Sequence, residues 1–293
     1  MYYVAYGFLY LLSLLPLRVL YLFSDFAYLL LYYVIGYRKE IVYYNLSIAF
    51  PAKTEKERNA IAKKFYKNFA DSFIETVKAF SASDNFIRKH FTGDFSVINQ
   101  FYEKGVPKVQ LYSGHNFNWE YANLSLPLHM TYTLLTVYMP ITNKSFDKIF
   151  YKMRARTGAK LLSALNIRNE ILPHRNDKYA LALIADQNPG DARNAYWVNF
   201  FNRPTPFVRA PENGARRGNT PVFFCYVTKE RRGYYKIHCQ LAEENPSSTK
   251  VGELTKRYAG FLQWSIEQQP HNWLWSHRRW KWDWKEEYGK IIE

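Results

Sequence analysis

From about Phe95 onward the chain alternates short apolar runs with stretches of helical period, and this alternation restricts the fold more than any other feature. The runs are KVQLYSG (108–114), TYTLLTVY (131–138), KYALALIAD (178–186), TPVFFCYV (220–227) and YYKIHCQLAEE (234–244). Short apolar runs rich in β-branched and aromatic residues, bounded by turn-forming segments, read as strands of a largely buried sheet. Strands alternating with helices over roughly 170 residues require an α/β domain, with a central sheet flanked by helices. The last two runs are joined through Glu230-Arg231-Arg232-Gly233, which reads as a hairpin turn, so the sheet is mixed. No internal repeat or low-complexity linker is evident, and 293 residues suffice for a substantial core.

Upstream the character changes. MYYVAYGFLYLLSLLPLRVLYLFSDFAYLLLYYVIGYRKE carries only Arg18 and Asp25 as charges before Arg38. The uncharged run from Met1 to Leu17 sits at the lower edge of the roughly 17–25 residues that span a bilayer. It lacks a basic start and a small-residue cleavage site, which argues against a removable signal. Pro16 and Arg18 interrupt it, so the segment reads as one short spanning helix followed by an interfacial helix. A buried hairpin of core helices is the alternative. Arg38 and Lys39 would keep the basic body on the cytoplasmic side. The expected organisation is an anchor at 1–37 and a single domain at 38–293, divided into a helical lead-in (38–94) and an α/β core (95–293). Within the lead-in, Thr54-Glu55-Lys56-Glu57 has the form of a capping box. Ile61, Phe65, Phe69, Phe73, Val77 and Phe80 then recur at helical spacing as one stripe for the core.

The formal net charge is +15, from 40 Lys and Arg against 25 Asp and Glu. Such a surplus points to an anionic partner: nucleic acid, acidic lipid or a phosphorylated substrate. Zinc spacing, an RRM signature and a basic helical arm are all missing, which disfavours nucleic acid. Aromatic residues make up 18 % of the chain, a composition suited to membrane interfaces. The two cysteines, Cys225 and Cys239, fall in strand-like runs without metal or disulfide spacing, as in a reduced, cytosol-facing protein.

One motif carries chemistry. In LYSGHNFNWEYANL (111–124), His115 follows a strand-like run and a glycine, and Glu120 lies five residues on. Seven histidines and 25 acids in 293 residues yield about 0.6 such spacings by chance, so spacing alone decides nothing. A second match, His238 to Glu243, lies within one expected strand, where residues five apart face opposite ways. His115 has a better setting: Gly114 permits a sharp turn and Asn116 or Asn118 can cap the helix that follows. Inside one helix a separation of five is about 140°. With His115 just ahead of the helix, Glu120 is expected to fold back onto the imidazole. A neutral imidazole accepts a hydroxyl proton, and a carboxylate on its other nitrogen fixes the tautomer and stabilises the imidazolium. A core histidine fits the spacing equally well. No serine or cysteine stands in a nucleophile elbow, which favours direct transfer to a bound acceptor.

An ordered set of segments runs through the chain: IVYYNLSIAFP, KERNAIAKKFYKNFAD, GHNFNWE, KIFYKMRARTG, ALIADQNPG, VNFFNRPTPF and NWLWSHRRWKW. Together with the aromatic N-terminus it resembles the lipid A late acyltransferases, a branch of the glycerolipid acyltransferase superfamily. ALIADQNPG stands where glycerolipid acyltransferases carry a Pro-Glu-Gly box, which argues against a glycerol-phosphate acceptor. The resemblance implies a glycerolipid-acyltransferase-like α/β fold and an O-acyltransferase with His115 as general base and Glu120 as its orienting partner. The acyl thioester donor would be acyl carrier protein or coenzyme A. The acceptor would be a phosphorylated glycolipid, the lipid A precursor, at the cytoplasmic face of a bacterial inner membrane. Another lipid acceptor, an amino-acid lipid or a lysophospholipid, stays open. No cofactor or metal is implied. Arg154 is the candidate for an arginine near the site, with Arg156 the alternative. Asp186 and Gln187 are candidates for binding the acceptor or supporting the catalytic pair, against a bland role for Asp186 in a helix cap or turn. Arg203, Arg209, Arg216, Arg217 and His277-Arg278-Arg279 fit an anionic head group or the membrane surface. WLWSHRRWKWDW is expected at the bilayer interface, packed on the sheet, or both.

Overall fold

A computed structural model describes residues 2–293. Its strands are β1 (Phe91–Gly93), β2 (Lys108–Ser113), β3 (Thr133–Tyr138), β4 (Lys160–Ser163), β5 (Tyr179–Ile184), β6 (Ala195–Phe200), β7 (Arg203–Val208), β8 (Val222–Arg231), β9 (Tyr234–Glu243) and β10 (Ile291–Ile292). Seven build the central sheet in the order β1-β9-β8-β2-β5-β3-β4. Neighbours run parallel except β8 and β9, whose hairpin turns at Gly233 with φ of 77°. The fold is therefore α/β with a mixed sheet, and the five apolar runs are β2, β3, β5, β8 and β9. Their burial explains the composition: Val109, Leu134, Ala180, Val222 and Phe223 are fully enclosed. The short strand β1 adds an edge next to β9, at the end of a segment expected to be helical throughout. Cys225 and Cys239 face each other across the β8–β9 ladder as free thiols. A second sheet, β10-β6-β7, turns between β6 and β7 at Phe201 and Asn202, both at positive φ (52° and 57°).

The helices are α1 (Tyr2–Leu14), α2 (Leu17–Leu29), α3 (Lys39–Ala49), α4 (Glu55–Lys78), α5 (Asp84–His90), α6 (Ser96–Glu103), α7 (Trp119–His129), α8 (Lys144–Ala155), α9 (Ile167–Glu170), α10 (Ala210–Gly218) and α11 (Glu253–Gln268). Pro16 does break the apolar N-terminus, but the order of lengths differs from expectation. The first helix has 13 residues, about 20 Å at the α-helical rise, well short of the roughly 30 Å of a hydrocarbon core. The longer one is α2, continued by a π turn over Leu30–Val34; its 18-residue span has a mean hydropathy of 1.4 and is long and apolar enough to cross a membrane. Leu22, Phe23, Phe26, Leu29, Val34 and Ile35 on it are exposed.

The opposite side of α2 is polar and docked. Thr54 and Glu57 close the expected capping box on α4, and Phe65, Phe69 and Phe80 enter the core. Phe73, however, is 59 % exposed, while Asp71 and Glu75 are buried. The second half of α4 turns a charged face inward because α2 and the β8–β9 hairpin supply partners for it. Asp71 accepts from Ser24 Oγ (2.7 Å), Lys229 Nζ (2.9 Å) and Arg232 Nη2 (2.6 Å), and Arg232 also grips Asp25 (2.7 Å). Removing one member of a buried ion network leaves the others uncompensated, at a cost of about 3 kcal/mol. Asp71→Ala is therefore expected to lose about that much unfolding free energy, measured by denaturant titration in detergent.

Candidate active site

Strands β2 and β5 are parallel neighbours that end in register, Ser113 opposite Ile184. Loops leaving the carboxyl ends of adjacent parallel strands lie side by side, which is where α/β sheets display functional groups. Here they bring Gly114-His115 against Ala185-Asp186. His115 Nδ1 lies 2.5 Å from Asp186 Oδ1, and the backbone N–H of His115 donates to Oδ2 (2.7 Å). A third donor is the indole Nε1 of Trp273, 2.7 Å from Oδ2. Space at 114 is tight: a Cβ there would lie 2.6 Å from Leu262 Cδ1 and 3.2 Å from Asp186 Oδ2, so both side chains would have to give way.

Burial alone would raise the Asp186 pKa. The neighbouring imidazole, its two hydrogen bonds and the indole together outweigh that and hold the carboxyl at about 2. The carboxylate keeps the imidazole proton on Nδ1 and leaves Nε2 as the acceptor. That nitrogen faces Gln187, whose Nε2 is 3.3 Å away, and the imidazole is 21 % exposed. Gly114, Asn116 and Trp119 also line an apolar cavity of about 60 Å³ that extends past Leu126, Ala182 and Ile237.

The expected contact between Glu120 and His115 is not made. Asn118 caps α7, its Oδ1 accepting from the N–H groups of Glu120 (3.0 Å) and Tyr121 (3.2 Å). Glu120 thus sits in the first turn and faces α8 rather than the turn before the helix. Its carboxylate takes a two-pronged hydrogen bond from Arg154, Nε to Oε2 at 2.8 Å and Nη2 to Oε1 at 2.5 Å. Burial opposes the charge on Arg154 but the Glu120 contacts prevail and raise its pKa. Arg156 points elsewhere, toward Asp84 at 3.5 Å. His238 stacks on Tyr226 and bonds Thr228 (3.1 Å), while Glu243 binds Arg257 (2.8 Å), so the second His-to-Glu spacing makes no pair.

Trp273 escaped the sequence reading as a site residue, and so did the strap that carries it. Residues 272–274 run along the motif: Phe117 N–H donates to Asn272 O and Leu274 N–H to His115 O. Trp273, Trp275, Trp280 and Arg279 are all at or below 4 % exposure, so the centre of WLWSHRRWKWDW packs against the sheet instead of lying at an interface. The signal that could have shown this is tryptophan density itself, since buried indoles need both volume and a partner for N–H. Arg279 is wholly buried without a carboxylate partner: burial lowers its pKa to about 10, and it bonds Asn188 Oδ1 and Pro206 O while its guanidinium lies 4.2 Å over Phe207. Burial first, then Arg279, lowers His277 to about 4. Arg203 is held by Asp283 and Tyr44. Arg278 and Lys281 instead line a cleft of about 300 Å³ with Glu40, Tyr44 and Asn45. Among the described residues no cluster of His, Cys, Asp and Glu is arranged to hold a metal.

The family model for bacterial lipid A biosynthesis acyltransferases matches residues 1–282. The chain belongs to this family and is an acyltransferase. No curated protein matches it.

The Asp186 environment has a pH signature. Its folded pKa is depressed from 3.8 to about 2, so its stabilisation is present above about pH 4 and is lost as pH falls through 2. Wild type is expected to lose about 2 kcal/mol across that window beyond what Asp186→Asn loses, measured by denaturant unfolding at each pH.

Proposed function

We propose that the chain moves a fatty acyl group from acyl carrier protein thioester to a hydroxyl of a phosphorylated lipid A precursor, with His115 as general base and Asp186 as its orienting carboxylate. The observation that carries this reading is the 2.5 Å Nδ1–Asp186 contact, which leaves Nε2, beside the Gln187 amide, free to accept a proton. The acceptor hydroxyl displaces the Gln187 amide from Nε2 and gives its proton there as its oxygen attacks the thioester carbonyl. The tetrahedral intermediate then collapses, the C–S bond breaks, and the imidazolium returns the proton to the departing thiolate. The apolar cavity beside Gly114 and Trp119 receives the start of the acyl chain. Glu120 serves through Arg154: with both carboxylate oxygens committed, it fixes a guanidinium that presents its remaining edge to substrate. The cleft bearing Arg278 and Lys281 suits the acceptor's phosphate. Arg278 is tied to the loop that carries Asp186, its carbonyl accepting from the Asn188 side chain. The exposed apolar residues of α1 and α2 lie in the cytoplasmic leaflet of the inner membrane, and the net charge of +15 favours the acidic carrier protein.

Transfer is tested in detergent with acyl carrier protein and coenzyme A thioesters as donors, and tetra-acylated lipid A precursor, an amino-acid lipid and a lysophospholipid as acceptors. His115→Ala is expected to abolish transfer to the lipid A precursor, and His238→Ala to leave it intact. Activity indifferent to His115 would overturn the mechanism; His115-dependent transfer to a different acceptor would overturn the substrate. In Asp186→Asn the amide oxygen can keep the Oδ2 bonds, but its NH₂ faces Nδ1 and forces the other tautomer. The expected result is a folded enzyme with kcat down by about 10³–10⁴. Ala182→Phe fills the cavity and is expected to cut transfer of long acyl chains more than of short ones in a competition assay.

A further inference from the structure

A buried carboxylate outside the catalytic set touches the same helix cap. Glu75 on α4 is fully buried. Its Oε2 accepts from Asn118 Nδ2 (2.9 Å) and Tyr235 Oη (2.7 Å), and its Oε1 accepts from Tyr21 Oη (2.8 Å). Asn118 is the residue whose Oδ1 caps α7. An amide has one oxygen and one NH₂, so a carboxylate holding the NH₂ end decides that the oxygen faces the helix. The same carboxylate is bonded to Tyr21 on α2, the helix whose far side is exposed and apolar. We propose that Glu75 is a positioning residue for the His115–Glu120 motif, and that the Tyr21 hydroxyl on α2 helps hold it in that position. The proposal rests on the acyl transfer reading above.

Three comparisons separate positioning from simple stability. Asp25 joins α2 to Arg232 on the same interface but makes no contact with Asn118. In Glu75→Gln the new amide can place its carbonyl where Oε2 lies, keeping Asn118 and Tyr235, while its NH₂ donates to Tyr21 Oη. Glu75→Met fills a similar volume and offers no acceptor.

The experiment compares steady-state transfer by full-length wild type, Glu75→Met, Glu75→Gln, Tyr21→Phe and Asp25→Asn, each corrected for folded fraction by circular dichroism. Glu75→Met is expected to lower kcat about tenfold with KM within about twofold, because a displaced base misaligns attack more than it weakens binding. Glu75→Gln is expected to restore kcat to within about threefold of wild type, Tyr21→Phe to lose about threefold, and Asp25→Asn to keep wild-type kcat. A Glu75→Met enzyme with wild-type kcat per folded molecule overturns the proposal, and so does an Asp25→Asn loss equal to that of Glu75→Met. Wild-type kcat in Tyr21→Phe overturns the part assigned to Tyr21. If Glu75→Met does not fold, Glu75→Gln and Tyr21→Phe decide by the same figures. Should wild type transfer nothing to any acceptor, the preceding reading fails on its own. The low-field NMR signal of the His115 Nδ1 proton then still decides positioning: it must shift or broaden in Glu75→Met and stay unchanged in Asp25→Asn.

Discussion

The contact between Asp186 and His115 sets conditions that much of the surrounding structure meets. A carboxylate at 1 % exposure is tolerable only if its charge is answered locally, and three N–H donors answer it. Two come from one residue, His115, so the side chain and backbone of the histidine are fixed by the same acid. The third comes from an indole that must itself be buried to reach so far inside. Glycine at 114, the strap at 272–274 and the in-register ends of β2 and β5 all follow from allowing that approach.

Glu120 and Asp186 then divide the work that one acid was expected to do. His115 lies three residues before the cap at Asn118 and so outside α7, while Glu120 sits in the helix's first turn and is turned toward Arg154. One carboxylate orients the imidazole and the other orients a guanidinium. A spacing that looked like a pair is in fact two pairs sharing a turn.

The sheet was legible because its strands are short, apolar and separated by turns, and because burial on both faces leaves a continuous signature in each run. His115 and the cap position were legible for the same local reason. Asp186 was a candidate for supporting the pair, but its direct bond to His115 was not legible, since the acid lies 71 residues away in the loop after β5, which only the sheet order brings alongside. Asp71 and Glu75 were hidden in another way: acids at helical spacing ordinarily mark a solvated face, and only the docking of α2 and the β8–β9 hairpin turns that face inward. The strap's tryptophans looked interfacial because their density suits a membrane and a core alike. The β6–β7 hairpin went unread for want of glycine at its turn, where Phe201 and Asn202 take the left-handed conformation.

The strap also gives the molecule an order of assembly. Trp273 lies 87 residues after Asp186, so on the ribosome the acid and its histidine emerge long before the indole that completes them. Until then the carboxylate lacks a donor and the wall that Trp273, Trp275 and Arg279 provide. A nascent chain that already holds His115 and the sheet therefore lacks the finished setting of Asp186. The segment that closes it is synthesised after both strands whose loops it covers, which makes completion of this site a late event in the life of each new molecule.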